Sequence, residues 1–253
     1  MDGFYLSLVS GVFIGGAAGY LGTLMLSRRM ALVAGPLGHL TLPGIALALI
    51  WGIDVSIGAF PFVILGVVVI WLLELRTRLP MEALTALVFA SGVAIAFLFL
   101  PIDQAETALV GDISRANLPG TVLSVVASVT IVLVLAWIYP KLVLGNISEE
   151  LAAAEGIAIR HYNLLYLFLI AVIVALGVKM VGGLLTAALV AIPPAAARNI
   201  SRNLGQYRLG ATAIGVGSAL FGMVIARVTG LPAGPVIILV SSLTFLVTVP
   251  LAK

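Results

Sequence analysis

From Phe4 to Leu26 the chain runs for 23 residues without one Asp, Glu, Lys or Arg. An apolar stretch of about 20 residues is what crosses the hydrocarbon core of a bilayer as a helix. The pattern recurs along the whole chain, with candidate spans at 4–26, 31–51, 56–73, 83–100, 121–139, 163–178, 180–197, 209–229 and 234–251. This spacing predicts an all-α, polytopic membrane helical bundle of about nine transmembrane helices. Loops between the spans are short, so residues 1–253 read as a single transmembrane domain.

Composition agrees. Hydrophobic residues make up 62% of the chain and charged residues 9%, against about 25% charged in a soluble domain. Thirteen basic and ten acidic residues cannot cover a soluble globule of this size, which excludes a soluble enzyme. The net charge of +3 is spread without a Lys/Arg cluster, so no nucleic-acid partner is implied. Cysteine is absent, which excludes disulfides, thiolate metal sites and cysteine catalysis. Met1-Asp2-Gly3 offers no basic n-region, so the first apolar stretch reads as a retained span.

Basic residues set the expected orientation. Arg28 and Arg29, Arg76 and Arg78, Lys141, then Arg198, Arg202 and Arg208, and finally Lys253 fall on one side when the spans alternate. Asp54, Asp103, Glu106 and Asp112 fall on the other. The expected topology is N-out and C-in, with Lys179 and Arg227 near the outer face, where long basic side chains snorkel. Residues 101–120 carry too many charges for lipid and read as a short outer helix or re-entrant segment.

Residues 144–162 form the longest cytoplasmic loop of this topology. Within it, Ser148 is a candidate cap, Glu149 and Glu150 occupy a first turn, and Gly156 is a candidate stop. A short helix here is either a surface connector or a docking helix, with Leu151 beside Ala152 suited to a partner's groove. The chain lacks its own phosphate-binding loop. Lys141, Lys179 and Lys253 are its only lysines, and none precedes Ser or Thr as Gly-x-x-x-x-Gly-Lys-Ser/Thr requires.

Several stretches, in order, resemble the membrane permeases of bacterial zinc, manganese and iron ABC importers. Arg28 to Val33 leads into Leu37-Gly38-His39-Leu40-Thr41-Leu42-Pro43-Gly44, which is similar to that family's Asp-x-Leu-Ser-His-x-x-Leu-Pro-Gly. Further matches are Leu109 to Ile113, Glu149 to Ile157, Lys179 to Leu185, Ile192 to Arg198 and Leu231 to Pro235. The resemblance spans about Gly15 to Lys253. It implies a homodimeric permease in the cell membrane and favours the docking reading of Ser148, Glu149, Glu150, Leu151, Ala152, Glu155 and Gly156. A cytoplasmic ATP-binding subunit would dock there and hold ATP-Mg, with no cofactor in this chain. An extracytoplasmic metal-binding protein would deliver the ion, and the spans would work by alternating access.

His39 is the one histidine within a candidate span, and an ionisable residue in lipid is a functional candidate. Imidazole suits zinc. The family's Asp one turn earlier is Gly35 here, and its Ser is Gly38, so the carboxylate–imidazole pair is broken. His39 is either a metal ligand on the ion path or a packed residue bonded to a backbone carbonyl. Glu82 is either a contributor to the path or a first-turn acid at a helix N-terminus. Asp112 either caps an outer helix or receives the ion. Pro193-Pro194 reads as a kink and part of a gate, and His161 as solvated. A permease for a metal chelate or other small solute is the alternative that Gly35 raises. An ATPase-independent transporter lacks its inverted repeats or intramembrane carboxylates. A membrane hydrolase ranks last, because His-Glu-x-x-His and Gly-x-Ser-x-Gly are absent.

Overall fold

The computed structural model describes residues 3–28, 34–53, 55–77, 79, 81–99 and 117–252. Every regular element among them is helical: α1 (Gly3–Ser27), α2 (Ala34–His39), α3 (Leu42–Trp51), α4 (Val55–Arg76), α5 (Met81–Phe99), α6 (Leu118–Ile147), α7 (Glu149–Ala154), α8 (Ile159–Ile200), α9 (Leu204–Thr229) and α10 (Ala233–Thr248), then a 3₁₀ turn (Val249–Leu251). Six segments among the described residues are long and apolar enough to cross a membrane: Gly3–Ser27, Ile57–Arg76, Leu118–Ile147, Ile159–Val178, Leu204–Thr229 and Ala233–Leu251. Ala83–Ala94 and Leu185–Ile200 are shorter apolar helices.

Helix α1 packs on α6, α8 and α9. Between lipid-embedded helices there is little hydrophobic drive, so close approach of small residues supplies the contact. That is why α1 carries Gly15, Gly19 and Gly22 on its buried surface. A Cβ on Gly15 would stand 2.6 Å from the Gly215 carbonyl oxygen, and one on Gly19 or Gly22 would overlap the carbonyls of Ala211 or Val190. The pairings Gly15 with Gly215 and Gly19 with Ala211 run α1 antiparallel to α9.

Hydroxyls tie the same helix to its neighbours. Ser10 bonds Thr121 at 3.2 Å, and Thr23 bonds the Tyr139 hydroxyl at 3.4 Å, so α6 runs parallel to α1. Tyr166 of α8 donates to the Leu21 carbonyl at 3.1 Å, and Tyr207 of α9 to the Thr23 carbonyl at 3.5 Å. Three tyrosines from three helices therefore converge on one end of α1. At the other end the Arg227 guanidinium lies 4.1 Å from the Phe4 ring centre. Asn199 donates to the Thr248 hydroxyl at 3.0 Å, which puts the end of α10 beside the end of α8. The first and last helices thus begin and finish at opposite ends of the bundle.

Helix α8 is two helices joined by a reversal. Its one non-helical residue is Gly182, at φ 80° and ψ 165°, a region essentially closed to residues with a Cβ. Gly177 and Leu189 would lie about 18 Å apart in a straight helix. Instead, a Cβ on Gly177 would be 3.5 Å from the Leu189 side chain and 3.0 Å from that of Thr186. The chain folds back on itself here, and the expected spans 163–178 and 180–197 are the two arms. The expected span 31–51 also differs in detail. Its described residues, 34–51, form the short helices α2 and α3, broken at Leu40 and Thr41.

Candidate functional site

Two regions carry the expected functional residues. The first is the α6–α8 connection. Ser148 has extended backbone, φ −155° and ψ 118°, so it ends α6 and starts α7. Its hydroxyl oxygen accepts from the Leu151 N–H at 3.1 Å, as expected for an N-cap. Glu149 and Glu150 fill the first turn, favourably placed at the positive end of the helix. Gly156, at φ 71°, turns the chain from α7 towards α8. Ala152 is fully buried while its neighbour Leu151 is 49% exposed. The helix is anchored by a methyl group and presents a leucine outward, with Glu155 also exposed.

Beside α7 lies a cavity of about 850 Å³ between the end of α4 and the start of α8, lined by Trp71, Glu74, Glu149, Arg160, His161 and Asn163 among others. Arg28 belongs to the same charged end. Burial pushes its guanidinium below the usual range, and the negative charges of Glu74 and Glu149 partly offset this. His161 is exposed, as expected.

The second region is the break between α2 and α3. His39 is the last residue of α2, half-buried, with its ring 5.3 Å from that of Phe89 on α5. Two residues further on, the Thr41 hydroxyl donates back to the Gly38 carbonyl. Pro43 then opens α3, where its missing N–H leaves nothing unsatisfied. Gly38 rests on the reversal of α8, since a Cβ on it would stand 2.6 Å from the Gly183 carbonyl oxygen. Thr186, just past the turn, donates to the Gly182 carbonyl at 2.6 Å.

Of the other expected path residues, Glu82 is the second residue of α5. Asp112 lies outside the described residues. Pro193 and Pro194 are buried in the second arm of α8, eleven and twelve residues beyond Gly182, the position where that helix departs from helical backbone. No group of three or more His, Cys, Asp or Glu able to hold a metal occurs among the described residues. Gly35 and His39 share helix α2 one turn apart. The position of the reversal at Gly182 and the tyrosine cluster on α1 were not anticipated from sequence. The Gly182-Gly183 pair was the available signal for the first, and the tyrosines leave no periodic trace.

The fold defines a multi-pass helical membrane protein, with six segments among the described residues long and apolar enough to cross a bilayer. The ABC 3 transport family matches residues 4–252, and the chain belongs to that family. It is similar to the manganese import system permease protein ScaB of Streptococcus gordonii, at 27% identity over 246 residues, 96% of this chain and 88% of that one. It is also similar to the high-affinity zinc uptake system membrane protein ZnuB of Buchnera aphidicola subsp. Baizongia pistaciae, at 24% identity over 252 residues, 97% of this chain and 96% of that one. Among solved structures it resembles PsaBC from Streptococcus pneumoniae in complex with Fab, with TM-score 0.84, 23% identity, and coverage of 98% of this chain and 91% of that one. That likeness supports the fold.

Proposed function

We propose that this chain is the membrane permease of an ABC importer that moves a divalent transition-metal ion, zinc, manganese or iron, into the cytoplasm. Energy comes from ATP hydrolysis in a separate cytoplasmic subunit docked on α7. The observation that carries this reading is α7 itself. It is a capped helix between two long helices, with an outward leucine, in a chain that has no phosphate-binding loop of its own. The family match and the manganese and zinc relatives support the cargo.

Two further features favour a topology of nine spans, N-out and C-in. The chain begins and ends at opposite ends of the bundle, which needs an odd number of crossings. Arg28, Arg76, Lys141, Arg160, Arg198, Arg202 and Arg208 all belong to the α7 end by their places in the helices, as the cytoplasmic side requires. Lys141 there donates to the Tyr162 hydroxyl at 2.8 Å and lies 3.9 Å from the Trp137 ring centre, the composition of a bilayer interface. We read the working unit as a homodimer that receives its ion from an extracytoplasmic metal-binding protein, with His39 on the path and Glu82, Asp112 and the Pro193-Pro194 segment as further path and gate residues.

The test is metal-stimulated uptake by the permease co-expressed with its ATPase, comparing wild type with Leu151→Asp. The charge should strip the ATPase from the purified complex and abolish ATP-driven uptake while the permease still inserts. A Leu151→Asp permease that retains its ATPase and its uptake returns α7 to a simple connector.

A further inference from the structure

We infer that Thr41 is a positioning residue for His39, and that it acts together with the Gly38–Gly183 contact by fixing where α2 ends. This rests on the reading of His39 as a path residue. Thr41 stands where α3 begins, yet its side chain makes no cap bond to α3. Its hydroxyl donates instead to the Gly38 carbonyl, which otherwise receives only the long 3.3 Å bond from the Thr41 N–H. The hydroxyl therefore closes the last turn of α2 and makes His39 its final residue. Thr41 is fully buried, so water cannot replace that donor. On its flank, α2 rests against the Gly182 reversal with no side chain between, because a Cβ on Gly38 would come within 2.6 Å of the Gly183 oxygen. Thr186 braces the turn by bonding the Gly182 carbonyl. The imidazole is thus held from three directions: by Thr41 through the chain, by the α8 turn through Gly38, and by Phe89 against its ring.

A consequence concerns Gly38 itself, where the resembling permeases have Ser. Any side chain there must push α2 and the α8 turn apart, so this close approach of the two backbones depends on glycine at position 38.

The chain contains no cysteine, so the double variant His39→Cys/Phe89→Cys of the full-length permease reports the seat directly in membrane vesicles. Cross-linking with a short bifunctional thiol reagent is compared in three backgrounds: Thr41, Thr41→Ser and Thr41→Val. Ser keeps the donor and should keep the yield. Val keeps the shape without the donor and should lower the yield several-fold. Equal yields in all three overturn the inference. Should Thr41→Val fail to insert, Gly38→Ala tests the flank, and an unchanged yield there overturns it equally. In the unlabelled chain, Thr41→Val should raise the apparent KM for metal uptake and add nothing to the loss seen in His39→Ala. Additive losses count against positioning. Full uptake by His39→Ala refutes the path reading of His39 and leaves the cross-linking result to decide the seat, so the two failures are separable.

Discussion

Replacing Gly182 with alanine is the sharpest perturbation of this fold. The residue sits at φ 80° and ψ 165°, where a Cβ collides with its own backbone, so occupying that region costs a non-glycine residue roughly 1–3 kcal/mol. Relaxation is difficult, because this turn reverses one arm of α8 onto the other and also seats Gly38 of α2. A loss of that size lowers the ratio of correctly folded to misfolded bundle by roughly 5- to 150-fold. Gly183→Ala is the control. Gly183 is not among the positive-φ glycines, and a Cβ there would meet the Gly38 carbonyl oxygen at 3.1 Å, a contact that needs only a small shift. The assay is survival of the monodisperse peak in detergent after heating, for wild type and both variants. Gly182→Ala should lose its peak at a distinctly lower temperature than Gly183→Ala. Equal heat stability of Gly182→Ala and wild type, or the reverse order of the two variants, would refute the assignment of Gly182 as an obligatory reversal.

Tyr166→Phe removes the hydroxyl that bonds the Leu21 carbonyl and should destabilise the bundle by about 0.6 kcal/mol, with about 1.7 as the ceiling for such a bond in lipid; a loss well above that in detergent unfolding shows a role other than this bond. Gly35→Asp places a carboxylate one turn before His39 in α2 and should tighten divalent-ion binding measured by titration calorimetry, because it adds a hard oxygen ligand to the imidazole on one helix face. The gain should vanish in His39→Ala, and persistence of the gain there shows that the two residues do not share an ion.

Much of this architecture is legible in the sequence because a bilayer leaves few choices. Charge-free stretches must be helices, and the Ser148 cap, the first-turn acids and Gly156 mark α7 by local chemistry alone. The separation of 163–178 from 180–197 is also readable, although the turn itself is made at Gly182. What stays hidden depends on geometry with no hydropathy signature. The break after His39 occurs within an apolar run, because a threonine can satisfy a carbonyl locally without adding polarity. Thr41-Leu42-Pro43-Gly44 hints at a turn but does not say that a helix ends two residues earlier. Pro193-Pro194 draws the eye as a kink, yet Gly182, eleven residues before it, carries the non-helical backbone. The contacts of Tyr139, Tyr166 and Tyr207 with α1 join residues 116, 145 and 184 positions apart, beyond the reach of any periodic pattern.

Those three tyrosines also bear on how the chain is made. Helix α1 leaves the ribosome first, and its partners follow in the order α6, α8, α9. At roughly 5–20 residues per second, Tyr207 emerges roughly 10 to 40 s after Thr23, given their separation of 184 residues. Throughout that interval α1 offers the Thr23 hydroxyl and the Leu21 and Thr23 carbonyls to an assembly that is still growing. Each arriving helix closes one latch, and the last closes only when more than four-fifths of the chain has been synthesised. A nascent chain halted between α8 and α9 would hold a first helix complete in sequence and unfinished in its bonds, and that is the species a membrane insertase or a quality-control protease would meet.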